Sequence, residues 1–176
     1  LKKYLNNNNG DIYNTKMRIK SRYINSNQET FYPIVRDLFL NLEIDCSLSR
    51  HGINYQRQDA IILTKNDSIP IEIKSPGEEV KISIKAVRQA LENKIVILSR
   101  KSFPMQMETS SIIVGFEYPN DRSEVYRAII DIKNTYQIKI GMLDFDTLIH
   151  LNIQKLLQKK IPDLKKLKEL IGKGTI

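Results

Sequence analysis

Two isoleucine-rich runs, Asp59-Ala60-Ile61-Ile62-Leu63-Thr64 and Ile69-Pro70-Ile71-Glu72-Ile73-Lys74, flank the polar cluster Lys65-Asn66-Asp67-Ser68. Apolar β-branched stretches on either side of turn residues read as the two strands of a hairpin. No other feature constrains the fold as tightly, because this hairpin carries charge where it should be buried. Side chains alternate along a strand, so Ile71 and Ile73 take one face while Glu72 and Lys74 share the other. A turn centred on Asn66 and Asp67 pairs residues whose numbers sum to about 133, which sets Asp59 beside Lys74 and within a diagonal of Glu72. Three ionisable groups are thereby expected to converge where hydrophobic strands enter a core.

Two carboxylates side by side repel each other, and a divalent cation is the usual device that makes the pair favourable. Every donor is a hard oxygen, and the chain holds one Cys and two His. Magnesium is therefore expected, with manganese as its substitute, and zinc is not. Asp59 and Glu72 are the expected ligands, joined by the backbone carbonyl of Ile73. Lys74, near a phosphate and the attacking water, would orient or deprotonate the nucleophile and offset the charge developing on the phosphorane. The reaction class that uses these parts is metal-assisted hydrolysis of a phosphodiester. An acidic-x-basic triplet on a strand also occurs as a solvated ion pair. The flanking isoleucines and the third charge, Asp59, favour the catalytic reading.

Along the chain, residues 1–26 are polar, with the run Asn6-Asn7-Asn8-Asn9-Gly10, and are expected to be a lead-in or linker. Residues 27–176 form the expected nuclease domain. From Gln28 to Leu42 the apolar residues Phe31, Ile34, Val35, Leu38, Phe39 and Leu42 recur at steps of three and four, predicting a helix with one buried face. Strands are predicted over 43–48, 59–64, 69–74, 94–99, 111–116 and 137–143, and helices over 83–93, 123–134, 147–159 and 163–171. Strands alternating with helices imply an α/β fold, a mixed central β-sheet flanked by helices.

A length of 176 residues with 41% hydrophobic content is enough for a buried core. The longest apolar runs, such as Ile95-Val96-Ile97-Leu98, are far shorter than the roughly 20 residues of a membrane span. A single Cys46 fits a reducing compartment, so a cytoplasmic, bacterial-type intracellular location is expected. A chain starting with leucine is expected to be a processed product or a piece of a longer protein. The net charge of +8 favours a phosphate polymer as partner, although lysine also serves as plain solvated surface.

Asp59, the hairpin and Glu72-x-Lys74, with a helix upstream and another downstream, resemble the PD-(D/E)xK nuclease superfamily. Gln58 stands where the motif's name has proline, a position that binds no metal. Within the superfamily the chain is most similar to restriction endonuclease cleavage domains, particularly the separable ones of type IIS enzymes, from roughly Glu29 to the end. The resemblance implies a restriction-endonuclease-like fold, magnesium-dependent cleavage of double-stranded DNA, homodimerisation to cut both strands, and a separate DNA-recognition domain. It also implies a further acid on the first helix, for which Glu29 is the candidate and Asp37 the second; a first-turn glutamate is equally explained by the helix dipole. On the helix after the lysine, Lys85, Arg88 and Gln89 match the glutamine or basic residue that members carry there.

The polar, basic segment Ser49 to Arg57 leads into Asp59, and its Arg50, Gln56 and Arg57 are candidate DNA-backbone contacts, with Ser75 beyond Lys74 counted among them. Glu78 and Glu79 read as a solvated loop. Lysines of the last two helices read as a wet outer face, since base readout favours Arg, Asn or Gln. Two alternatives stay open: a Holliday-junction resolvase or repair nuclease of the same fold, and a non-catalytic DNA-binding domain.

Overall fold

The computed structural model describes residues 1–49, 58–65, 67–100 and 109–172. Residues 1–26, expected as a linker, form two helices instead, α1 (Lys2–Asn7) and α2 (Ile12–Tyr23). Asp11 caps α2 by accepting the Asn14 N–H. Leu5 and Ile19 are buried in the core, with Ile12 and Tyr23 packed against it. Lys16 meets Asp146 at 2.7 Å, and the Tyr23 ring stands edge-on to Phe145 at 5.9 Å. So sparse an apolar stripe has no clear period in sequence; tertiary contact, not local propensity, holds these helices.

The next helix, α3 (Gln28–Asn41), begins where the Asn27 side chain accepts the Thr30 N–H, and it buries Phe31, Val35, Leu38 and Phe39 as the periodicity requires. Three strands follow: β1 (Cys46–Leu48), β2 (Ala60–Leu63) and β3 (Ser68–Ile73), consecutive antiparallel neighbours. After β3 comes α4 (Ile84–Leu98), then β4 (Thr109–Gly115), α5 (Glu124–Tyr136), β5 (Ile138–Asp144), α6 (Phe145–Gln158) and α7 (Leu164–Glu169). β4 pairs in parallel with β3, and β5 in parallel with β4, so the sheet runs β1-β2-β3-β4-β5. Each parallel step carries a helix in its crossover, as a parallel connection needs. The mixed sheet flanked by helices is the expected architecture.

Strand alternation divides the core between two faces. Ile69, Ile71 and Ile73 of β3, with Ile112 and Val114 of β4, pack with α3 and α6. Ile113 of β4 and Ile138, Ile140 and Met142 of β5 pack with α4 and α5. Burial on both sides explains why these strands read as near-continuous apolar runs.

Two expectations are corrected. The strand predicted over 94–99 is the end of α4: Val87, Ala90, Lys94 and Ile97 recur at steps of three and four and are all buried, so the helical stripe outlasts the β-branched run. The hairpin register also differs. Ala60 pairs with Ile71 and Leu63 with Ser68, numbers that sum to about 131 instead of 133, a slip of two residues. Thr64 Oγ1 accepts the Asp67 N–H at 2.9 Å. The Asp67 carboxylate is buried against Lys94 and Lys168, each at 3.4 Å. Those contacts draw Asp67 to the strand end and away from the turn apex. They also fold Lys168 inward, where sequence placed it on a wet face. Because side chains alternate with a period of two, the slip leaves every one on its expected face.

The outer edge of β5 is covered by the chain after α7: Met142 donates its N–H to Leu170 O at 2.7 Å, and Met142 bridges Ile171. The approach is close because residue 141 is glycine. A β-carbon there would collide with Leu167 O and lie 3.1 Å from the Lys168 backbone. Gly141→Ala is expected to lower unfolding free energy by about 2 kcal/mol or more. Urea denaturation measures this, and an unchanged midpoint would contradict the packing described.

Candidate active site

Glu72 and Lys74 lie at the carboxyl end of β3, and Asp59 enters from the start of β2. Continued by one residue, the ladder sets Asp59 opposite Glu72, closer than the expected diagonal. Asp59 Oδ2 accepts the Ile73 N–H at 2.7 Å. Lys74 Nζ stands 2.8 Å from Glu72 Oε1, and Asn93 of α4 donates its Nδ2 to Glu72 Oε2 at 2.8 Å. Glu72 and Lys74 are both buried. The convergence read from sequence is present, with Asp59 partnered to the second strand through its backbone.

Burial governs the electrostatics. It pushes the Asp59 carboxyl up to about 7, helped by the Glu72 charge, against the Ile73 N–H and Lys74. Burial also raises Glu72, against its bonds to Lys74 and Asn93. For Lys74 burial works against the ammonium, but the Glu72 hydrogen bond and the charges of Glu72, Glu78 and Asp59 outweigh it, so its pKa is raised. Two carboxyls held reluctant to ionise beside one firm cation form a site short of positive charge.

Two residues that sequence reasoning left aside complete the cluster. Glu78, expected in a solvated loop, turns back: its Oε2 accepts from Ser75 N at 3.0 Å and Ser75 Oγ at 2.8 Å, and its Oε1 lies 3.9 Å from Lys74 Nζ. Burial would raise its pKa, but the Ser75 donors, Gln28 and Lys74 together lower it. Tyr32 of α3 donates its hydroxyl to Ile73 O at 2.8 Å, with Glu78 Oε2 at 3.2 Å. Desolvation and the neighbouring acids raise the Tyr32 pKa, keeping it a donor. The one available signal for Tyr32 was its place one turn beyond Glu29.

The other candidates fall as follows. Glu29 is exposed in the first turn of α3, while Tyr32, three residues on, donates to the backbone at the end of β3. Asp37 is exposed and pairs with Arg36 at 2.7 Å. Ser75 is fully buried and bonded to Glu78, so its hydroxyl serves the loop. Lys85 and Arg88 are exposed on α4. Gln89 Oε1 is buried without a hydrogen-bond partner among the described residues, while Asn93, one turn further along the same face, reaches Glu72. Arg50, Gln56 and Arg57 lie outside the described residues.

The oxygens gathered here, from Asp59, Glu72 and the Ile73 carbonyl, suit a hard divalent cation. Among the described residues no three His, Cys, Asp or Glu side chains come together as a metal cluster. Two carboxylates and a carbonyl leave most of an octahedral shell to water and substrate, which is how magnesium is usually held.

No protein-family model and no curated protein matches this sequence. A solved structure of restriction endonuclease FokI bound to DNA is similar in fold, with TM-score 0.54 and 11% sequence identity over 88% of this chain. The match covers 29% of the FokI chain, so this chain corresponds to a minor part of it. The α/β fold is thus restriction-endonuclease-like.

The raised Asp59 carboxyl has a measurable signature. Its folded pKa of about 7 exceeds the ordinary 3.8, so the stability penalty is absent below that ordinary value, grows as pH rises, and is complete above about 7. Without divalent cations, Asp59→Asn is expected to raise the melting temperature at pH 8 by at least about 3 °C and to leave it unchanged near pH 3.5. Melting curves at the two pH values decide it; a gain that does not depend on pH would refute the burial argument.

Proposed function

We propose that this chain cleaves DNA by hydrolysing phosphodiester bonds, with magnesium as cofactor. The observation that carries the reading is the meeting of Asp59, bonded to the Ile73 N–H, with the Glu72–Lys74 pair at one end of a restriction-endonuclease-like sheet. Asp59 and Glu72 would hold the cation, with the Ile73 carbonyl as third oxygen. When bound, magnesium supplies positive charge that polarises the scissile phosphate and makes water a better nucleophile.

The protein groups do the rest. Lys74 donates from its ammonium to a phosphate oxygen or to the attacking water, and stabilises the charge that builds up as the new P–O bond forms. Asn93 holds Glu72 in its rotamer and so fixes the angle at which its other oxygen faces the site. As the P–O3′ bond breaks, the attacking water gives up its proton to solvent, the 3′ oxygen takes one from solvent, and the 5′-phosphate stays on the other fragment. Exposed Lys85 and Arg88 and the segment containing Arg50, Gln56 and Arg57 are the proposed contacts to the DNA backbone.

Duplex DNA as partner is supported by the net charge of +8 and by the DNA in the FokI structure. Sequence recognition by a separate domain and cutting of both strands by a homodimer are part of the proposal, as the resemblance to type IIS cleavage domains implies. The class proposed is therefore the cleavage domain of a restriction enzyme. No observation favours a junction resolvase or a domain that only binds.

Supercoiled plasmid incubated with Mg²⁺ is expected to be nicked or linearised, and EDTA should stop it. Asp59→Ala and Glu72→Ala should each lower the rate by at least about a hundredfold while the protein remains folded and still binds DNA. Unchanged cutting by either variant removes the proposal. Lys74→Ala should reduce the chemical step more than the affinity for Mg²⁺.

A further inference from the structure

Lys74 lies between two acids. Its ammonium is 2.8 Å from Glu72 Oε1 and 3.9 Å from Glu78 Oε1. Each Glu72 oxygen already has one partner in this arrangement, Asn93 at Oε2 and Lys74 at Oε1. A divalent cation bound at Oε1 would sit beside the Lys74 ammonium 2.8 Å from that same oxygen, and like-charge repulsion favours moving the lysine off it. The lysine side chain is only 8% exposed, and stranding a buried ammonium without a partner is costly. A second acceptor within its reach removes that cost.

Glu78 is built for that role. Its Oε2 is held by two donors, Ser75 N and Ser75 Oγ, with Tyr32 Oη a further 3.2 Å contact, which leaves Oε1 turned toward Lys74. The loop that carries it is itself fixed, by Gly77 N donating to Ser26 O at 3.1 Å and Glu78 N to Ser75 O at 3.0 Å. A β-carbon on residue 77 would lie 3.1 Å from that same Ser26 oxygen, so glycine allows the close approach.

We propose that Glu78 is a positioning residue that receives the Lys74 ammonium when Glu72 turns to a divalent cation. The inference rests on the metal-binding reading of Asp59 and Glu72. Lys74 passes from Glu72 Oε1 to Glu78 Oε1 without exchanging a proton, so the site keeps its charge while Glu72 changes partner. Tyr32, bonded both to the Ile73 carbonyl and to Glu78, ties the receiving acid to the strand that carries the lysine.

Isothermal titration of the whole chain with MgCl₂ tests this without any cleavage assay. Glu78→Gln should weaken Mg²⁺ binding about tenfold, and Tyr32→Phe should weaken it less but in the same direction. Either effect alone would also follow from lost negative charge or a loosened loop, so the deciding measurement repeats Glu78→Gln in a Lys74→Met background. If Glu78 acts through Lys74, the substitution there changes affinity by less than twofold. An equal loss in both backgrounds overturns the hand-over, as does unchanged affinity on Glu78→Gln alone. If Glu78→Gln does not fold, by circular dichroism, Ser75→Ala replaces it in both backgrounds, with the same two outcomes. Absence of any Mg²⁺ binding by the unsubstituted chain would instead remove the metal reading on which the inference stands.

Discussion

The Asp59 carboxylate accepting the Ile73 amide hydrogen at 2.7 Å joins the two strands at the point where their ladder ends. Past that bond the pairing with β2 stops while the pairing with β4 continues, Lys74 donating its N–H to Val114 O at 2.8 Å. A single strand thus has an antiparallel partner on one edge and a parallel one on the other, and the site sits where the antiparallel ladder ends. Side chains at positions 72 and 74 are held on the same face, while the carbonyl of Ile73 is left to Tyr32. If that bond were lost, the acid on β2 and the acid on β3 would no longer share a fixed separation, whatever the remaining core did.

The hairpin strands, their alternation and the meeting of three charges were all legible in sequence, because period-two patterning is a local property of the chain. Register was not. It depends on Asp67 being drawn in by Lys94 and by Lys168, the latter 101 residues away, and no turn rule contains that information. The end of α4 was misread for a related reason: Ile95, Val96 and Ile97 favour a strand locally, but the buried step from Ala90 to Lys94 to Ile97 decides the matter. Residues 1–26 hid their helices behind asparagines and lysines, with few apolar positions to mark the face that packs.

Within the site, sequence identified the residues whose charge is conspicuous against apolar neighbours and missed those whose role is set by reach. Tyr32 and Asn93 come from helices on opposite faces of the sheet; beyond the place of Tyr32 one turn after Glu29, nothing in their local sequence marks them. Glu78 was visible but its direction was not, since a loop glutamate turns inward only if donors such as Ser75 await it. The residue type of a functional group is thus easier to read than its orientation, which is a property of the packed whole.

The helix α4 carries two neighbouring side chains that reach different parts of β3: Asn93 bonds Glu72 near its carboxyl end, and Lys94 donates to Ser68 O at 2.7 Å at its beginning. The strand is therefore gauged at both ends against one rigid rod. Its usable length is prescribed between those two marks, while the connection from Thr64 to Asp67 lies outside them. A single residue gained between Ser68 and Glu72 would reverse the pleat, delivering an acid into the isoleucine layer and an isoleucine to the site.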